Sequence, residues 1–177
     1  MNHLSFSPDG TKFLFFCIDE ANGFDQASLG VYNINKEEII PLETEGKASH
    51  YIWDGNNEII CTVLDKHYFA RYCRFNVKER SKKVICDKSL QRDGHPSIYA
   101  KDVLVTDTYP DSRGYQHIYF VNDNNDVKTE IVKIYSIPTI NVEMRTDLHP
   151  RLSDNKKYLS FDTCHDRLRK MMVLELE

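Results

Sequence analysis

Short runs in which apolar and polar side chains alternate recur along the whole chain: KFLFFCI, SLGVYNI, EIICTVL, RYCRFNV, KKVIC, DVLVTDT, QHIYFVN, KYLSFDT and KMMVLEL. A period of two sends successive side chains to opposite faces of an extended strand, which suits a sheet with one buried face. The runs are rich in Val, Ile, Phe and Tyr, which fit a pleated surface. Their separators SPDGTK, WDGNNE, NDNNDV and SDNKK carry the small polar residues that tight hairpins require. No stretch shows convincing helical periodicity. The pattern predicts an all-β, antiparallel chain.

A longer period lies over the short one. NHLSFSPDGTKFLFF (2–16), SHYIWDGNNEIICTV (49–63), GHPSIYAKDVLVTDT (94–108) and LHPRLSDNKKYLSFD (148–162) each read as a histidine, a short strand, a polar turn and a stronger apolar strand. The histidines are His3, His50, His95 and His149, spaced 47, 45 and 54 residues apart. Roughly forty to fifty residues with four strands per unit is the length of one blade of a β-propeller. Four blades are expected within a single domain, 1–177, starting near residues 2, 49, 94 and 148. The third has a longer outer hairpin, in VKTEIVKIYSIPTINVEM. The first unit opens directly on its inner strand and the last has only three strands. The chain therefore reads as about four blades, as part of a larger propeller, or as a unit that self-associates through an open sheet edge.

Bulk properties narrow the function. The 177 residues are 41% hydrophobic and 11% aromatic, enough to bury a core. The formal net charge is −4 with both signs interspersed, and no basic block is present to displace counterions from phosphates, so nucleic acid is not an expected partner. No apolar run approaches the roughly 20 residues that span a bilayer, and MNHLSFSPDG lacks the charged lead and apolar middle of a secretory signal. The five cysteines, Cys17, Cys61, Cys73, Cys86 and Cys164, form no CxxC pair and mostly sit in apolar runs, where Cys acts as a small hydrophobe. A reducing, cytoplasmic setting is expected and a zinc ribbon is not.

Candidate chemistry comes from the repeat. In a propeller the inner strands line the central channel, so a histidine at one repeat position would be presented toward a common axis from every blade. Converging imidazoles make a metal site; the competing role is structural, each ring hydrogen-bonding backbone to join adjacent blades. Asp93 precedes His95 by two residues and Asp147 precedes His149 by two, while Arg151 follows His149 by two and Arg145 lies just upstream. Such a mouth suits an anionic ligand, a uronate carboxylate or a phosphate. The loop DTYPDSRGYQH supplies Tyr109 and Arg113, and DTCHDRLRK supplies His165 and Arg169. Both follow the second strand of their blades and are candidates for sugar contacts, or plain outer hairpins. No GxSxG elbow and no phosphate-cradling glycine loop is present. Cys164 and His165 are sequence neighbours and so point apart on a strand, which disfavours a thiol nucleophile.

The segments NHLSFSPDG, DGHPSIYAKDVLVTDTYPD and RTDLHPRLSDNKKYLSFDTCHDRLRKM resemble the C-terminal blades of oligogalacturonate-lyase-like propellers, especially a bacterial branch associated with surface-polysaccharide genes. The resemblance spans most of this chain and about half of a full family member. It implies a divalent metal, typically manganese, held by histidines and a glutamine, and β-elimination in an acidic, uronic-acid oligosaccharide. On that resemblance His3, His50, His95 and His149 are the metal-ligand candidates, and Arg145 and Arg151 are candidates for carboxylate binding or for the base that takes the C5 proton. The family's Gln-x-x-His-x-His arrangement is absent: Gln91 stands four before His95 with no second histidine after it. A non-catalytic propeller that binds a glycan or a protein partner is the alternative.

Overall fold

The computed structural model describes residues 2–19, 26–138 and 145–176, and the chain divides into two compact units, Met1–Asp93 and Gly94–Glu177. Among the described residues all regular structure is strand, in four antiparallel sheets that follow one another along the chain.

The first unit holds two four-stranded sheets. One contains β1 (Asn2–Phe6), β2 (Lys12–Asp19), β3 (Gln26–Asn33) and β4 (Glu38–Glu43). The other contains β5 (Lys47–Asp54), β6 (Glu58–Leu64), β7 (Ala70–Asn76) and β8 (Ser81–Ile85). Each is a simple meander, every strand pairing with the next. Leu14, Phe16, Leu29, Val31 and Ile40 of one sheet pack with Ile59, Cys61, Val63, Cys73 and Phe75 of the other. Tyr51 and Trp53 of β5 reach back to β1: the Tyr51 hydroxyl donates to the His3 carbonyl at 2.7 Å and the Trp53 indole N–H to that of Ser5 at 3.3 Å. Large aromatic bodies fill the space between sheets while their polar tips are satisfied on backbone.

The second unit holds a four-stranded sheet of β9 (Ser97–Ala100), β10 (Val103–Asp107), β11 (Tyr115–Asn122) and β12 (Val127–Tyr135), and a three-stranded one of β13 (Arg151–Leu152), β14 (Tyr158–Thr163) and β15 (Lys170–Glu175). Val105, Ile118, Leu148, Leu159 and Phe161 form its core, with Tyr99 and Phe120 edge to face at 4.8 Å beside it. The later part of the expected long outer hairpin, residues 139–144, lies outside the described residues.

The turn chemistry explains the shared hairpins. In SPDGTK the Ser7 hydroxyl donates to Asp9 at 2.6 Å and accepts the Lys12 N–H at 3.1 Å, while Gly10 adopts φ 67°. In SDNKKY the Ser153 hydroxyl donates to Asn155 at 2.8 Å and accepts the Tyr158 N–H at 3.0 Å, while Lys156 adopts φ 61°. The same serine-anchored turn is thus built twice, from Asp-Gly once and Asn-Lys once. Hydrogen bonds from Ser7, and then from the Thr11 backbone and hydroxyl, hold the Asp9 carboxyl down at about 2.

Candidate functional site

In the second unit the entries to the two inner strands converge on Asp107, the last residue of β10. Asp107 is buried. Its Oδ1 accepts the His95 N–H at 2.7 Å, and both carboxylate oxygens lie 2.9 Å from His95 Nδ1. Its Oδ2 accepts the His149 N–H at 2.9 Å. Burial on its own would raise this carboxyl; the His95 ring and then the two backbone donors outweigh burial and hold it below the ordinary 3.8. A carboxylate can only accept, so His95 donates to it from Nδ1.

The His149 ring is arranged in the same sense. Its Nδ1 lies 3.3 Å from the Asp147 carbonyl, an acceptor, so it too is protonated there. The two imidazoles lie against each other, centroids 3.7 Å apart and planes tilted by 35°. His149 holds φ 44° directly before Pro150, a left-handed conformation that costs a non-glycine residue roughly 1–3 kcal/mol and persists only where its surroundings enforce it.

A cationic and aromatic group adjoins the pair. Tyr109 stands edge-on to His95 at 6.1 Å, and the Arg145 guanidinium sits 4.3 Å over the Tyr109 ring. Arg145 also grips Asp147 through two donors, Nε at 2.6 Å and Nη2 at 3.0 Å. Arg169 closes the group from the β14–β15 loop, donating to Thr146 Oγ1 and to the Arg145 carbonyl, both at 3.3 Å. Beneath them the buried Gln116 donates to the Thr146 carbonyl at 3.2 Å.

The other expected residues are placed differently. His50 donates its backbone N–H to Thr62 Oγ1 at 3.0 Å, and its Nε2 lies 3.6 Å from Asp93, which also accepts the Ser49 hydroxyl. His3 is exposed at φ 56° with its ring 5.2 Å from Phe16. The register explains the difference between these two. β1 and β5 each carry a bulge, after Asn2↔Phe16 in one and after Ala48↔Val63 in the other. The bulged residues are His3–Leu4 and Ser49–His50, so the histidine comes first in one and second in the other, and a one-residue offset turns a strand side chain over. Among the described residues no group of three or more His, Cys, Asp or Glu side chains is gathered to hold a metal ion.

Arg151 is exposed on β13, 3.4 Å from Asp162. Arg113 is exposed in the β10–β11 loop and enters its structure through the backbone, donating to Asp111 at 2.8 Å. His165 contacts Thr163 and lines a cleft of about 450 Å³ with Tyr135, Ile137 and Arg167. The hydrogen bonds from Arg145 to Asp147 hold its guanidinium above the ordinary arginine value, favouring the charged form. The residue that sequence reasoning missed is Asp107, whose only signal is its place twelve residues after His95, the interval that also separates His50 from Thr62.

No protein-family model matches the chain, and no curated protein matches it in sequence. Solved structures do. An oligogalacturonate lyase in complex with manganese is similar over 99% of this chain and 48% of its own, with a TM-score of 0.77 and 14% identity. An oligogalacturonate lyase from Vibrio parahaemolyticus is similar over the same shares, TM-score 0.76 and 12% identity. TolB from Acinetobacter baumannii is similar over 97% of this chain and 40% of its own, TM-score 0.67 and 15% identity. The fold is that of β-propeller blades. The chain spans about half the length of these lyases.

Proposed function

We propose that this chain binds acidic oligosaccharides, with the carboxylate of a uronate residue received beside the closely paired His95 and His149 rings. The observation that carries this reading is the group itself: two imidazoles with Nδ1 turned inward, next to a fixed Arg145–Tyr109 stack and the exposed Arg169. The guanidinium of exposed Arg169 supplies charge-assisted donors for a carboxylate, and Tyr109 supplies a flat apolar edge for a sugar ring. The likeness to two oligogalacturonate lyases supports the choice of acidic sugar over other anions.

β-Elimination is the second reading, favoured by the same likeness. Histidines that donate Nδ1–H to a carboxylate and to a carbonyl have the outer partners common to metal-bound imidazoles. Two imidazoles are nevertheless short of the set a manganese ion takes, and among the described residues no third His, Cys, Asp or Glu side chain is gathered with them. The residues described do not by themselves fit a resident metal.

Calorimetric titration with oligogalacturonate separates the readings when paired with elemental analysis and the ultraviolet absorbance of an unsaturated uronide. Binding without bound metal or new absorbance is expected. Stoichiometric metal with growing absorbance would move the assignment to a lyase, and absence of binding would refute both. Arg169→Gln, which loses only long 3.3 Å contacts inside the fold, is expected to weaken binding roughly tenfold with an unchanged unfolding midpoint.

A further inference from the structure

β15 has the composition of an inner strand and the position of an edge. In the other three sheets the third strand is covered by a fourth: β3 by β4, β7 by β8 and β11 by β12. Those fourth strands carry the devices that stop an edge from pairing further, Pro41 with Glu38 and Glu43 in β4, Lys82 and Lys83 in β8, and Lys128, Glu130 and Lys133 in β12. In the fourth sheet β15 is last, and among the described residues no strand pairs with its outer side. No residue of β3, β7 or β11 is exposed, whereas every residue of β15 is. Between Lys170 and Glu175 it reads Met-Met-Val-Leu, without charge or proline. Met171 and Val173 have 64% and 59% of their surfaces in solvent. A bare, apolar, uncharged edge is a template for another strand.

The ladder to β14 shows which backbone groups point outward. The Leu176 N–H donates to the Lys157 carbonyl at 2.7 Å, and the register runs without a bulge through Leu159↔Leu174 and Phe161↔Met172. Backbone groups alternate in direction along a strand, so Met172 and Leu174 turn theirs to β14 while Met171, Val173 and Glu175 turn theirs outward. Two antiparallel copies of β15 can bond only where outward residues face outward residues. That puts their two-fold axis at a residue, not between two. An axis at Met172 sets Met171 opposite Val173 on either side of it, each pair exchanging both backbone bonds. Met172 then meets its own copy, and the stem of Lys170 lies along Leu174. An axis at Val173 would instead set Met171 against Glu175. Antiparallel order also suits the charges, since residues 166–170 hold three bases to one acid and the far end of the strand holds Glu175.

We infer that β15 is the surface through which two copies of this chain associate, paired antiparallel about Met172 into one continuous sheet. The same patch serves on both copies, so the assembly closes at a dimer. This association is independent of the acidic-glycan reading above.

Sedimentation of the 177-residue chain over a range of concentrations, with amide exchange followed residue by residue, tests this. A concentration-dependent dimer is expected. The N–H groups of Met171 and Val173 should exchange more slowly as it forms, while those of Met172 and Leu174, already bonded to β14, stay as they were. Met171→Lys and Val173→Glu each set a charge against an apolar partner. Each should raise the dissociation constant roughly tenfold, with the unfolding midpoint of the monomer unchanged. Mixed in equal amounts, the two variants bring the new ammonium opposite the new carboxylate and should restore association as a heterodimer. A monomer at every concentration would overturn the inference. Slow exchange at Met171 and Val173 that ignores concentration would also overturn it, since another segment of the chain would then cover the edge. A dimer that neither variant weakens would put the interface elsewhere, and one that both weaken but mixing does not restore would remove the pairing about Met172.

Discussion

At the residue scale the structure turns on one buried carboxylate. Asp107 takes three hydrogen bonds from two strand entries, so it orders His95 and His149 at once. Asp107→Asn keeps the shape but replaces one acceptor oxygen with a donor and removes the charge. A loss of about 2–3 kcal/mol in unfolding free energy is expected, in the range of hydrogen bonds to charged groups. The pH dependence has a definite sign. Because the folded carboxyl is depressed, its stabilising effect is complete above its ordinary 3.8 and fades as pH falls through the lower folded value. Denaturation profiles of wild type and Asp107→Asn should therefore converge in acid below that value. Profiles that stay parallel down to the acid limit would mean the charge contributes nothing. His95 and His149 were legible from the repeat; their anchor was not, because an aspartate at a strand end reads as a turn residue until its partners are known.

At the element scale, alternation located the strands because one face of each sheet is buried while turns are polar. All nine quoted runs fall on strands. β4 escapes that pattern because Pro41 interrupts EIIPLE, which an edge strand tolerates and a central one would not. Register was less legible, since bulges are set by a local backbone choice rather than by hydrophobic pattern, and they separate His3 from His50. Glycine has a specific place in this packing. Gly30 lies opposite Phe15 on the neighbouring strand, and a Cβ there would come within 2.7 Å of the Phe15 ring. Gly30→Ala must push that buried ring off its rotamer and is expected to cost about 1–3 kcal/mol. A midpoint unchanged in urea unfolding would show that the ring moves aside freely.

At the scale of the whole molecule, blade architecture follows from the repeat, and the likeness to solved propellers over nearly all of the chain agrees with it. The site followed only in part. Five of the expected residues, His95, His149, Arg145, Tyr109 and Arg169, share one group, while His3 and His50 sit in settings of their own in the first unit. A period in sequence fixes which blade carries a residue; it does not fix which way a bulged strand turns that residue.

The second unit is proposed to receive a uronate carboxylate. Titrating the protein with oligogalacturonate and with its fully methyl-esterified counterpart of equal length measures that directly. Binding of the acid form that weakens with added salt and disappears on esterification is the predicted result. Equal affinity for both forms, or for neither, would contradict it.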